Sequence, residues 1–143
     1  MCYTGADHNK GYSNQEVFGL PVPYPVERLD IKGKGILTKF NQDFCGTYDV
    51  ATLCEFPATL ALAETAQKLI GDLLTATTGW GYSEEEIWVV GERLNNICRM
   101  FNVRDGFSRK EDTMPERIMV EPLKFGVSKG EVISQENLRH YVR

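Results

Sequence analysis

The chain has 143 residues, 42% of them hydrophobic and 25% charged, with a formal net charge of −4; this is enough for one domain with a modest core and is not the composition of a disordered chain. The acidic balance speaks against a nucleic-acid surface, which needs clustered Lys and Arg. No apolar run reaches the length of a membrane span, and the N-terminal "MCYTGADHNK" lacks the layout of a secretion signal, so a cytoplasmic protein is expected.

Residues 1–31 read as irregular. Pro21, Pro23 and Pro25 in "LPVPYPVERLD" preclude a continuous helix there, and the run reads as an extended connector. In "KGKGILTKFNQDFCGTYD", Ile36, Leu37, Phe40, Phe44, Thr47 and Tyr48 recur at helical spacing, which predicts a helix despite Gly33, Gly35 and Gly46. "ATLALAETAQKLIGDLLTATTGW" predicts a second helix, with Leu62, Ala66, Leu69, Ile70, Leu73 and Leu74 on one face and a glycine stop signal at "TTGWGY". "SEEEIWVVGERLNNICRMF" predicts a third. Ser83 and Glu86 form a capping box, and Ile87, Val90, Gly91, Leu94, Ile97, Cys98 and Phe101 form its buried stripe.

The following "NVRDGFSRKEDTMPERIMVEPLKFGVSKGE" is rich in Gly, Pro and charge without a sustained period. It reads as a long ordered loop, of the kind that is functional or packed against something else. Arg104, Arg109 and Arg117 are expected to pin it by pairing with Asp105, Asp112 or Glu116. "SQENLRHYVR" reads as the start of a further helix capped by Ser134. The fold class is all-α: an irregular helical bundle with long ordered loops, in a single domain over residues 1–143.

Two stretches raise questions of chemistry. Cys2, Cys45, Cys54 and Cys98 include no C-x-x-C pair, so a self-contained zinc site is not expected, and a reducing cytoplasm disfavours disulfides. "TYDVATLCEF" places Asp49 five residues before Cys54. On spacing alone, a buried Cys54 beside a capping Asp49 is the simpler reading. "GADHNKG" holds His8 and Lys10, which by themselves read as a turn histidine and a solvated amine.

Taken together and in order, "TGADHNKGY", "YDVATLCEF" and "GERLNNICRMFNVRDGFSRKEDTMPERI" resemble the C-terminal domain of the tungsten-containing aldehyde ferredoxin oxidoreductases, from about Thr4 to Pro122. The third stretch is the most specific, with Asn102-x-Arg104-x-Gly106, Ser108-Arg109, Asp112 and Pro115-x-Arg117. The resemblance implies that Cys54 is one thiolate ligand of a [4Fe–4S] cluster. It implies that Asp49 and the Leu53 backbone hold a pterin of a tungsten (or molybdenum) bis-pterin cofactor, and that Lys10 contacts that pterin or its phosphate. It implies that His8 works beside the metal as proton donor or substrate-orienting group. These residue types suit the roles: cluster iron takes soft thiolates, a carboxylate accepts strongly from pterin N–H groups, and histidine titrates near neutrality. Thr52 stands where the family motif has glycine.

The activity implied for the whole enzyme is oxidation of an aldehyde to a carboxylic acid, with electrons passed to ferredoxin. The other cluster cysteines, the second pterin motif and the β-rich domain of such an enzyme are not in this sequence. The expected partners are therefore the remaining domains or subunit of the same enzyme, and ferredoxin, with no nucleic acid and no membrane. The chain alone is expected to hold no cofactor and to be inactive, and its exposed cofactor face to invite a homo-oligomer. The alternative is a non-catalytic helical interaction module, or relic, derived from that domain.

Overall fold

The computed structural model describes residues 7–11, 26, 27, 29–58 and 65–141, the last two without their side chains. The proline run and Leu62 lie outside the described residues. Among the described residues a 3₁₀ turn at Asn9–Gly11 is followed by the helices α1 (Lys34–Val50), α2 (Ala66–Thr78), α3 (Glu84–Arg104), the short α4 (Glu116–Val120) and α5 (Gln135–Tyr141). There is no strand among the described residues, and no described helix is long and apolar enough to cross a membrane.

Each helix boundary has a local cause. Gly33, at φ 82°, turns the chain into α1 in a conformation that glycine adopts without strain. α2 ends at Gly79, also left-handed, whose N–H reaches the carbonyl of Thr75 at 2.9 Å. α3 opens with the full capping box. The Glu86 N–H donates to Ser83 Oγ at 3.2 Å, and the Ser83 N–H donates to Glu86 Oε2 at 2.8 Å. Ser134 caps α5 by accepting from the Asn137 N–H at 3.1 Å.

α1 is the central element. Leu37, Phe44, Cys45, Thr47 and Tyr48 are buried on it, whereas Ile36, at the edge of the same stripe, is exposed. The core joins Phe44, Cys45 and Tyr48 to Ala58, Ala66, Ile70 and Ile87. Trp88 lies beside it, its ring centroid 4.8 Å from that of Phe40. The crossing of α1 and α3 is set by two glycines. A β-carbon on Gly91 would lie 2.1 Å from the Asp43 carbonyl oxygen, and one on Gly46 would lie 3.1 Å from the Gly91 carbonyl oxygen. Without side chains at these positions the backbones come together.

Polar pairs flank the crossing. Asp43 accepts from Asn95 Nδ2 at 2.8 Å and pairs with Lys39 at 2.5 Å, and Lys39 also meets Glu92 at 3.3 Å. Across the α1–α2 boundary, Gln67 Nε2 donates to Thr47 Oγ1 at 3.1 Å.

Several expectations need correction. Of the stripe expected on α3, only Ile87 and Gly91 are buried, while Ile97 and Phe101 are exposed. The reason is geometric: α3 crosses α1 through its first half and then runs past it. On α2, Ala66 and Ile70 are buried but Leu69 and Leu73 are exposed. The segment after α3 is not wholly loop, because it holds α4. It is pinned by Arg99, which grips Asp112 with two hydrogen bonds of 2.9 and 2.7 Å. Arg117 pairs with Glu121, four positions on and just past the end of α4.

Candidate cofactor-facing site

The site is built on the C-terminal end of α1. The Thr52 N–H donates to the Asp49 carbonyl at 3.1 Å, and the Leu53 N–H donates to the Tyr48 carbonyl at 2.8 Å. This is the two-bond Schellman closure, whose left-handed position normally falls to glycine. Thr52 holds it here, at φ 58°, and is the one non-glycine residue at positive φ among the described residues. A turn that glycine makes without strain is therefore made here by threonine, at the cost of strain. It reverses the chain directly after Asp49 and presents Leu53 and Cys54 on the far side. Cys54 is exposed and free of any disulfide, which corrects the reading of a buried thiol reached from spacing alone.

The segment around the 3₁₀ turn docks on this end of α1. The Lys10 ammonium pairs with the Asp49 carboxylate. The buried Cys45 thiol donates to the Asn9 carbonyl at 3.1 Å, and Asp7 Oδ1 accepts from the Asn9 N–H at 2.9 Å. His8, exposed on this segment, is thereby carried to the same end of the helix.

Glu55 is the residue that the sequence did not single out. Partial burial pushes its carboxyl above the usual range. The nearby His8 and Lys10 charges oppose that rise, and Asp49 and Asp7 add to it. Its signal in the sequence was only its place beside Cys54. Lys10 stays above its ordinary range: partial burial pulls it down, but the hydrogen bond and charge of Asp49 outweigh that.

Tyr48 lies beneath the turn. Burial raises its hydroxyl far above the normal range, and the neighbouring Cys45 thiol adds to the rise. The Tyr48 hydroxyl makes no hydrogen bond of good geometry among the described residues.

Thus Asp49, Lys10, His8 and Glu55 form one charged group around the α1 terminus, with Leu53 and Cys54 on the turn that follows. Among the described residues no three His, Cys, Asp or Glu side chains converge as a complete metal site. What is present fits a share of a larger site. It offers one exposed thiol and a carboxylate whose Oδ2 takes Lys10 and whose other oxygen has no partner among the described residues.

A helical domain whose central helix closes in a turn after an acid and before a cysteine belongs to a definable class. The chain is a member of the aldehyde ferredoxin oxidoreductase family. The family model described as "Aldehyde ferredoxin oxidoreductase, domains 2 & 3" matches residues 1–143. The chain is 34% identical over 142 residues to the tungsten-containing aldehyde ferredoxin oxidoreductase of Pyrococcus abyssi. It is 32% and 33% identical over the same length to the enzymes of that name from Thermococcus kodakarensis and Pyrococcus horikoshii. Each match covers 96% of this chain but 22% of the relative, so the chain spans less than a quarter of the curated relatives' length.

Proposed function

We propose that this chain forms one wall of the cofactor site of an enzyme that oxidises aldehydes to carboxylic acids and hands the electrons to ferredoxin. The tungsten bis-pterin would supply the two-electron centre, and a [4Fe–4S] cluster the one-electron exit. Cys54 contributes one cluster thiolate. Asp49 accepts from pterin N–H groups through the oxygen that Lys10 leaves open, and the Leu53 backbone lines the same turn. Lys10 holds Asp49 in place through their ion pair, and its remaining N–H groups can face a phosphate or pterin oxygen. His8 takes or gives a proton next to the substrate.

The single observation that carries this reading is the turn at Thr52. A β-branched residue is held there in a conformation it resists, and the result is an acid and a thiol served by one reversal of the chain. Strain of this kind persists where the surroundings over-determine it, as they do at functional sites. The other cluster ligands and the rest of the pterin cradle would come from polypeptide outside this chain.

The test is Cys54→Ser in the assembled enzyme, with iron counted per polypeptide. Loss of cluster iron in a folded protein is the expected result. Unchanged iron content would refute the assignment.

A further inference from the structure

No residue from Glu92 to Asn137 is buried, a run of 46 consecutive residues. Yet this run is not loose chain. It includes the second half of α3 and all of α4, the Arg99–Asp112 clasp, and a turn in which the Gly130 N–H reaches the Leu123 carbonyl at 2.9 Å. It also carries large apolar side chains facing solvent. Phe101 is 61% exposed and Phe125 is 84% exposed, and Ile97, Met100, Ile118 and Leu123 are exposed with them. Ordering a backbone costs conformational entropy, and burial of apolar surface is the main term that offsets it. Here the ordering is present and the burial is missing. Among the described residues nothing supplies that burial, and a surface beyond them is called for.

The chemistry of that surface follows. Between Arg104 and Glu131 there are six basic and six acidic residues, so the segment has no net field to draw it to phosphates or anionic lipid. An apolar protein surface with a mixed polar rim fits it.

We infer that the second half of α3 and the segment 105–131 are the seat on which the rest of an aldehyde ferredoxin oxidoreductase polypeptide docks. This rests on the functional reading above, in which the cofactor site is completed by chain lying elsewhere. The relatives carry that chain, since the match spans 22% of their length.

The experiment replaces the matching region of the Pyrococcus abyssi enzyme by this chain and measures hydrogen–deuterium exchange across residues 97–127. Exchange at least tenfold slower than in the chain by itself is expected, and it should be lost in the doubly substituted Phe101→Asp, Phe125→Asp graft. Trp80→Asp, at an exposed residue outside the segment, should leave the protection in place. Equal exchange in graft and free chain would overturn the inference. So would a graft that fails to fold, because the two surfaces would then not match. A dimer of the free chain that the same double substitution disperses would also overturn it, in favour of a second copy. Iron counted on the same sample separates the two readings. Protection without iron fails the functional reading alone, and iron without protection fails the docking surface alone.

Discussion

At the scale of single residues, Thr52 and Glu55 set the character of the site. A β-branched residue in the left-handed region costs about 1–2 kcal/mol, whereas glycine there costs about 0.5–1 kcal/mol through the freedom it gains in the unfolded chain. The difference favours glycine, so Thr52→Gly should stabilise the chain by about 0.5–1 kcal/mol. A urea titration would show this as a higher midpoint at unchanged slope; no gain would mean that the threonine side chain makes good its strain. Glu55 makes a pH prediction. Its carboxyl holds a proton to higher pH in the folded chain than in the unfolded one, because burial, helped by Asp49 and Asp7, outweighs the opposing charges of His8 and Lys10. The folded state therefore binds more protons between the two values. Stability rises as pH falls through the raised value, and the gain is complete below the unfolded one. Glu55→Gln should raise the melting temperature at pH 7 and flatten that acid-side rise. A variant with the parental profile would show that the carboxylate is not desolvated.

At the scale of elements, the α1–α3 crossing is the most sensitive feature. Alanine at Gly91 would drive a β-carbon into the Asp43 carbonyl, which belongs to helix backbone and cannot swing aside. Gly91→Ala should cost about 3 kcal/mol, and Gly46→Ala, with its longer 3.1 Å approach, about 1 kcal/mol. Equal melting temperatures for the two variants would contradict the geometry. The helices themselves were legible because their signals are local: Ser83 with Glu86, Gly79 after α2, and Ser134 before α5. Which side of a helix is covered was less legible. Ile97 and Phe101 continue the periodicity of Ile87, but periodicity marks what can be buried and says nothing of whether a neighbour lies opposite. Arg99 as the clasp of Asp112 was likewise hidden, since a bidentate pair over thirteen positions leaves no mark in sequence spacing.

At the scale of the whole molecule, the candidate site was read from a resemblance and not from spacing. Asp49 and Cys54 alone would have passed for a capping acid and a core thiol. The ion pair between Lys10 and Asp49, 39 positions apart, belongs to the tertiary fold and could not be seen in the chain. Glu55 was missed because an acid next to a cysteine is common and only its burial sets it apart. The uneven distribution of buried residues has a consequence for how the molecule comes into being. Among the described residues, every buried one except Leu138 lies at or before Gly91. A nascent chain thus has nearly all of its described interior in hand once the first two turns of α3 have left the ribosome. The stretch that follows is synthesised beside a core that can already close, and its apolar side chains stay open until a chaperone or their proper neighbour meets them.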